Sequence, residues 1–222
     1  MTPAGGRRRL LVVADDLGYD PAVDRGILAA HGRGIVSAAS AMVDTAFAAA
    51  ALAAAPRTLE VGLHLALPAG TGRATARDEL ERQAARFEVL RGAPPSHLDG
   101  HRHVHADPEV LEAVLPWAAA RGVRVRALDA AMRDRIRAAG APAADAFLGD
   151  AALRPCWTAA RLLAALAGLV EGTSELMCHP GYAPSHVRTS FAAEREQELE
   201  ALCDPRARAV LGDAGVSLVG RL

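Results

Sequence analysis

Short all-apolar runs alternate along the chain with longer amphipathic stretches, the pattern of buried parallel strands joined by helices. Leu10-Leu11-Val12-Val13-Ala14 is apolar throughout and predicts a strand covered on both faces. Asp20-Pro21 reads as an N-cap with a first-turn proline. Val23, Ile27, Ala30 and His31 mark one face of the helix it opens, and Gly32-Arg33-Gly34 closes it. A second strand is predicted around Val36 to Val43, an alanine-rich helix to about Ala55, and a third strand over Val61 to Leu67. Pro68 to Thr75 is a turn-rich loop, and Arg77 to Arg91 a charged amphipathic helix. Asp107-Pro108 caps a helix reaching Arg121, and Val123 to Arg126 forms a short strand. From Asp129 to Pro155 one helix is predicted near Ala131 to Ala139, then a Gly/Ala/Pro-rich connection. Thr158 to Val170 is helical, Glu175 to Cys178 a strand, Phe191 to Leu202 a helix, and Val216 to Val219 a last strand. With no linker and no internal repeat, this order implies one α/β domain over residues 1–222 with a largely parallel sheet, open or closed into a barrel.

The polar positions are concentrated. Four of the eight histidines fall in the stretch His97-Leu98-Asp99-Gly100-His101-Arg102-His103-Val104-His105. If that stretch is extended, His97, Asp99, His101, His103 and His105 share one face. At ~3.3 Å per residue it would span about 26 Å, so these five groups cannot serve one ion and other ligands must come from elsewhere. Asp15-Asp16 follows the first strand, His64 lies late in the third, and His179 follows Leu176-Met177-Cys178 ahead of Pro180-Gly181. Sites in parallel α/β folds gather at the carboxyl ends of strands. Four separate segments therefore deliver acids or imidazoles to one end of the sheet.

One carboxylate and two imidazoles with open positions make a catalytic divalent-metal site. Adjacent aspartates at a strand end point in different directions, so one can bind metal while the other takes a proton from water. A histidine from another strand can donate to a leaving amine. Such a set suits metal-assisted amide hydrolysis, and equally a sugar isomerase or epimerase; a relative that binds sugar without turnover is a third reading. Zinc suits the donor set, with magnesium, manganese, cobalt and nickel open.

Composition narrows the class. The chain has 222 residues, a net charge of −1 and 51% hydrophobic residues, enough for a substantial core. All 25 basic residues are arginine, without the interleaved aromatics of a nucleic-acid surface, so no nucleic-acid partner is expected. Cys156, Cys178 and Cys203 lack CxxC spacing, which argues against a disulfide framework and for a reducing compartment. The apolar run Leu10 to Ala14 is too short for a signal-peptide core or a membrane span, so the expected location is the cytoplasm. Aromatics are only 4%; Tyr182, just past His179-Pro180-Gly181, is the best candidate to stack on a sugar ring, whereas Trp117 packs within its helix.

Ala14-Asp15-Asp16-Leu17-Gly18, Gly62-Leu63-His64, the His97 to His105 stretch and Cys178-His179-Pro180-Gly181 occur in the order seen in YdjC-like carbohydrate deacetylases. Over about Arg8 to Gly181 the chain resembles that family, which includes chitooligosaccharide deacetylases and a hopanoid-biosynthesis-associated branch. The resemblance implies a distorted (β/α) barrel of the polysaccharide-deacetylase type, often dimeric, removing acetyl from an N-acetylated sugar or glycolipid precursor with one divalent metal ion, zinc or magnesium foremost. It further implies Asp16, His64 and His101 as metal ligands, Asp15 as general base and His179 as acid. Asp99 and His105 would orient those ligands or touch substrate, and Arg126 would contact substrate. Two departures stand out: Arg102 replaces a histidine common in the family, and the connection from His64 to His97 lacks a longer insertion expected there. Such loops shape substrate pockets.

Overall fold

The structure, a computed structural model, describes residues 7–149 and 156–222. The strands are β1 (Arg8–Leu17), β2 (Ala38–Ala41), β3 (Glu60–Leu65), β4 (His97–Gly100), β5 (Arg124–Val125), β6 (Ala146–Leu148), β7 (Gly172–Cys178) and β8 (Val216–Leu218). The helices are α1 (Pro21–Arg33), α2 (Ala48–Ala54), α3 (Arg73–Arg91), α4 (Pro108–Arg121), α5 (Ala130–Ala138), α6 (Ala159–Ala167), α7 (Ala193–Cys203) and α8 (Pro205–Asp213). Every ladder is parallel, in the order β5-β4-β3-β2-β1-β7-β6, with β8 paired to the first residues of β1. β1 pairs with β2, β7 and β8, which is why its apolar run Leu10 to Ala14 is fully buried.

The sheet curls into a half-barrel. Leu10, Val12 and Ala14 pack into the large core beneath the helices, while Leu11, Val13 and Ala38 form a smaller cluster on the opposite face. The inner face then turns charged towards the strand ends: Arg126, just past β5, reaches Asp15 of β1 and Glu175 of β7 across the curl. β5 and β6, the two ends of the sheet order, share no ladder among the described residues.

Two elements escaped the sequence reading. β6 lies in the Gly/Ala/Pro-rich connection, whose residues 150–155 fall outside the described residues. α8 carries the same Asp-Pro start as α1 and α4, with Asp204 accepting from the Arg206 amide.

The histidine stretch requires a correction. Only His97 to Gly100 is strand; His101–Ala106 is a tight 3₁₀ turn, with Arg102 and His103 at φ 52° and 57°. Its side chains therefore do not share one face. The cause is local: Asp107 caps α4, so the chain must leave the sheet within one turn, and Gly100 lets the His105 backbone fold back against it. β3 and β4 stay in register, with His64 opposite Asp99.

Candidate metal centre and active site

A strand sends successive side chains to opposite faces, yet Asp15 and Asp16 both reach the same cavity. The β1–β2 register shifts between Ala14 and Leu17, and Asp16 adopts φ 74°. This bulge adds a residue and turns Asp16 back towards the site. Left-handed backbone costs a residue bearing a Cβ about 1–2 kcal/mol.

Asp16 is the hub. Its Oδ1 lies 3.3 Å from His64 Nε2 and 3.1 Å from His101 Nδ1, and its Oδ2 accepts from Arg195 at 2.5 Å. Burial raises the Asp16 carboxyl, but His101, His64 and Arg195 hold it well below the usual carboxylate range. His64 turns its other nitrogen, Nδ1, to Asp99 Oδ1 at 2.7 Å. A carboxylate behind a ligating imidazole fixes its tautomer and ring plane.

These atoms fit a cation. One donor atom each from Asp16, His64 and His101 lie within 4.8 Å of one another. Asp15, His64 and Asp99 form a second such group, but Arg126 ion-pairs with both of its acids and occupies the oxygens an ion would need. Asp15, Asp16, Asp99 and Glu175 face Arg124, Arg126 and Arg195, which leaves one negative charge. Burial alone would lower the His64 pKa, but Asp99 and Asp16 raise it to about 10, so a proton fills that deficit. A bound cation would fill it instead, with release of the proton.

Asp15 is gripped from below. Arg126 NH1 and NH2 donate to its two oxygens at 2.6 and 2.7 Å, in the bidentate geometry favoured by guanidinium and carboxylate. Burial raises the Asp15 carboxyl, yet the Arg126 charge and hydrogen bonds push it below the normal range. His179 Nε2 lies 3.8 Å from Asp15 Oδ2. Burial lowers the His179 pKa to about 4, against the pull of Asp15 and Asp16. Its backbone amide donates to Glu198 Oε2 at 2.6 Å, which pins the turn.

The cavity measures ≈ 450 Å³ and is lined by Asp15, Asp16, His64, His101 and His179, all anticipated from the sequence. Four other anticipated residues lie elsewhere. Arg126 is 0% exposed and spans Asp15, Asp99 and Glu175, so it underpins the site instead of forming its wall. Asp99 is likewise buried; its Oδ2 lies 2.7 Å from Arg126 NH2 but off the line of the N–H bonds, an ion pair without an aligned hydrogen bond. His105 is buried with Nε2 3.3 Å from the Arg126 carbonyl oxygen, outside the lining. Tyr182 is 38% exposed and also lies outside the lining; its amide donates to the Ala22 carbonyl. The aromatic walls are Tyr19 and Phe191 instead.

Arg195 and Glu198 were missed. Each belongs to a charged run on α7 that reads as a solvated helix face, yet both are buried. Tyr19 had a signal, its place three residues after Asp16.

The sequence matches the YdjC-like protein family over residues 9–213. It is 32% identical to a human protein named carbohydrate deacetylase, with 96% of this chain and 90% of that protein covered. It is 31% identical to a chitooligosaccharide deacetylase of Serratia marcescens, over 94% of this chain and 96% of the relative. Among solved structures, one from Enterococcus faecalis described as a putative cellobiose-phosphate cleavage protein superposes with a TM-score of 0.82 at 23% identity, covering 96% and 97% of the two chains. A family 4 carbohydrate esterase from Streptomyces lividans, solved with acetate, superposes at 0.57 with 15% identity, covering 96% of this chain and 93% of that one. These structural likenesses establish a shared fold.

Proposed function

Because the chain belongs to the YdjC-like protein family, we propose that it is a carbohydrate deacetylase, hydrolysing the acetamide of an N-acetylated sugar or glycolipid precursor with the help of a divalent cation. The carrying observation is the convergence of Asp16, His64 and His101 on one point, with Asp15 and His179 beside it. Asp16, His64 and His101 would hold the ion, with zinc first and magnesium second for this donor set. When bound, such an ion lowers the pKa of water and polarises a carbonyl.

The chain's own residues carry the protons. Asp15, kept ionised by Arg126, accepts a proton from the attacking water. His179 delivers a proton to the departing amine nitrogen. Because burial leaves His179 neutral at rest, it receives that proton during turnover, and Asp15 at 3.8 Å is the donor within reach. One proton thus passes from water through Asp15 and His179 to the amine. Acetate and a free amino sugar are the products.

No described helix is long and apolar enough to cross a membrane. The enzyme is read as a single cytoplasmic domain, a reading supported by three free cysteines, and as a homodimer, which size-exclusion chromatography with light scattering would test. Acetate release from N,N′-diacetylchitobiose, with divalent ions varied, tests the function. Stoichiometric acetate and free amine are expected. Sugar conversion without acetate would indicate isomerase or epimerase chemistry and overturn the proposal, as would binding without turnover under every ion.

A further inference from the structure

Asp16, Arg102 and His103 are the non-glycine residues with positive φ among the described residues, and all three line the same cavity. Elsewhere the chain reaches positive φ with glycine, at seven positions including Gly92 and Gly122 at the ends of α3 and α4. The strain at Asp16 has a reason, since its carboxylate is the hub of the cation site. The turn from β4 to α4 needs no side chain at its strained positions, and glycine would make it more easily. Side chains kept in such backbone point to a use for them.

His103 does not belong to the cation group. Its ring sits edge-on to Phe147 of β6, at 6.4 Å between centroids, and 6.0 Å from the His105 ring. Packing holds the imidazole in place at the cavity wall; its Nδ1 is buried without a hydrogen-bond partner among the described residues, so Nε2 is the nitrogen a ligand in the cavity would meet. The ring is thus positioned, half-buried and not consumed by internal bonding.

We propose that His103 is a substrate-binding residue, held by the strained turn so that its imidazole hydrogen-bonds a hydroxyl of the sugar ring entering the cavity. This rests on the deacetylase reading above. The test uses His103→Asn, because asparagine tolerates left-handed backbone, and His103→Gly, which removes the strain. For each, kcat and KM on N,N′-diacetylchitobiose are measured, with zinc affinity by calorimetry and the melting temperature. Both variants should bind zinc as the parent does and melt no lower, while KM rises roughly 3- to 10-fold, the loss of one neutral hydrogen bond. An unchanged KM in both variants would overturn the proposal, and so would zinc affinity falling in step with activity. Parent protein that releases no acetate would instead overturn the deacetylase reading, and this inference with it.

Discussion

Asp15 and Asp16 are chain neighbours with opposite surroundings. Asp16 faces two imidazoles and one guanidinium, whereas both oxygens of Asp15 are occupied by Arg126. Their substitutions should therefore separate. Asp16→Asn and His101→Ala should abolish zinc binding in calorimetry and with it acetate release. Asp15→Asn should keep zinc but lose about 10²- to 10⁴-fold in kcat, the range for a removed general base; full hydrolysis by that variant would refute the base assignment. Arg126 makes a different prediction. Replacing it with methionine removes the guanidinium shared by the buried carboxylates of Asp15, Asp99 and Glu175, and should cost about 3–5 kcal/mol in urea unfolding.

At the scale of elements, α7 supports the site from behind, with Arg195 on Asp16 and Glu198 under the His179 turn. Burial raises the Glu198 carboxyl to about 7 from an ordinary 4.5, although the amides of His179 and Trp157 pull it down. The folded protein then holds this proton when the unfolded chain has released it, so stability falls as pH rises from about 4.5 to 7 and levels off above. Glu198→Gln should lack that component, so its stability should change less than the parent's between pH 5 and 8, as read by urea unfolding, while its amide can accept only one of the two backbone N–H groups that Glu198 accepts. An equal pH dependence in both proteins would contradict this. Gly26 of α1 packs on the Gly181 backbone with no room for a Cβ, so Gly26→Ala should cost about 1–3 kcal/mol and loosen the His179 turn. Much of this layout was legible beforehand. β1, α1, β3, α4 and β7 have apolar runs or Asp-Pro caps that act locally, and the strand ends locate Asp15, Asp16, His64 and His179. The His97 to His105 stretch misled because alternation was extrapolated past Gly100, where the start of α4 overrides it. Arg195, Glu198 and the buried role of Arg126 depend on packing between distant segments, which no local pattern encodes.

Across the whole molecule, a curled parallel sheet encloses charge at one end and apolar side chains at the other. Four carboxylates and three guanidiniums settle there to one residual negative charge, and Asp16, His64 and His101 converge beside them. A ligand bound only by the folded state stabilises it, so zinc at about 100 times its Kd should add about 2.7 kcal/mol, lost on chelation. The human relative aligns over 290 positions against a chain of 222 residues, so it carries inserted segments that this chain lacks. The most direct measurement is anomalous diffraction at the zinc edge from zinc-soaked crystals. One strong peak bonded by Asp16, His64 and His101 is predicted, absent in Asp16→Asn crystals. A peak on other residues, or one that survives that substitution, would contradict it.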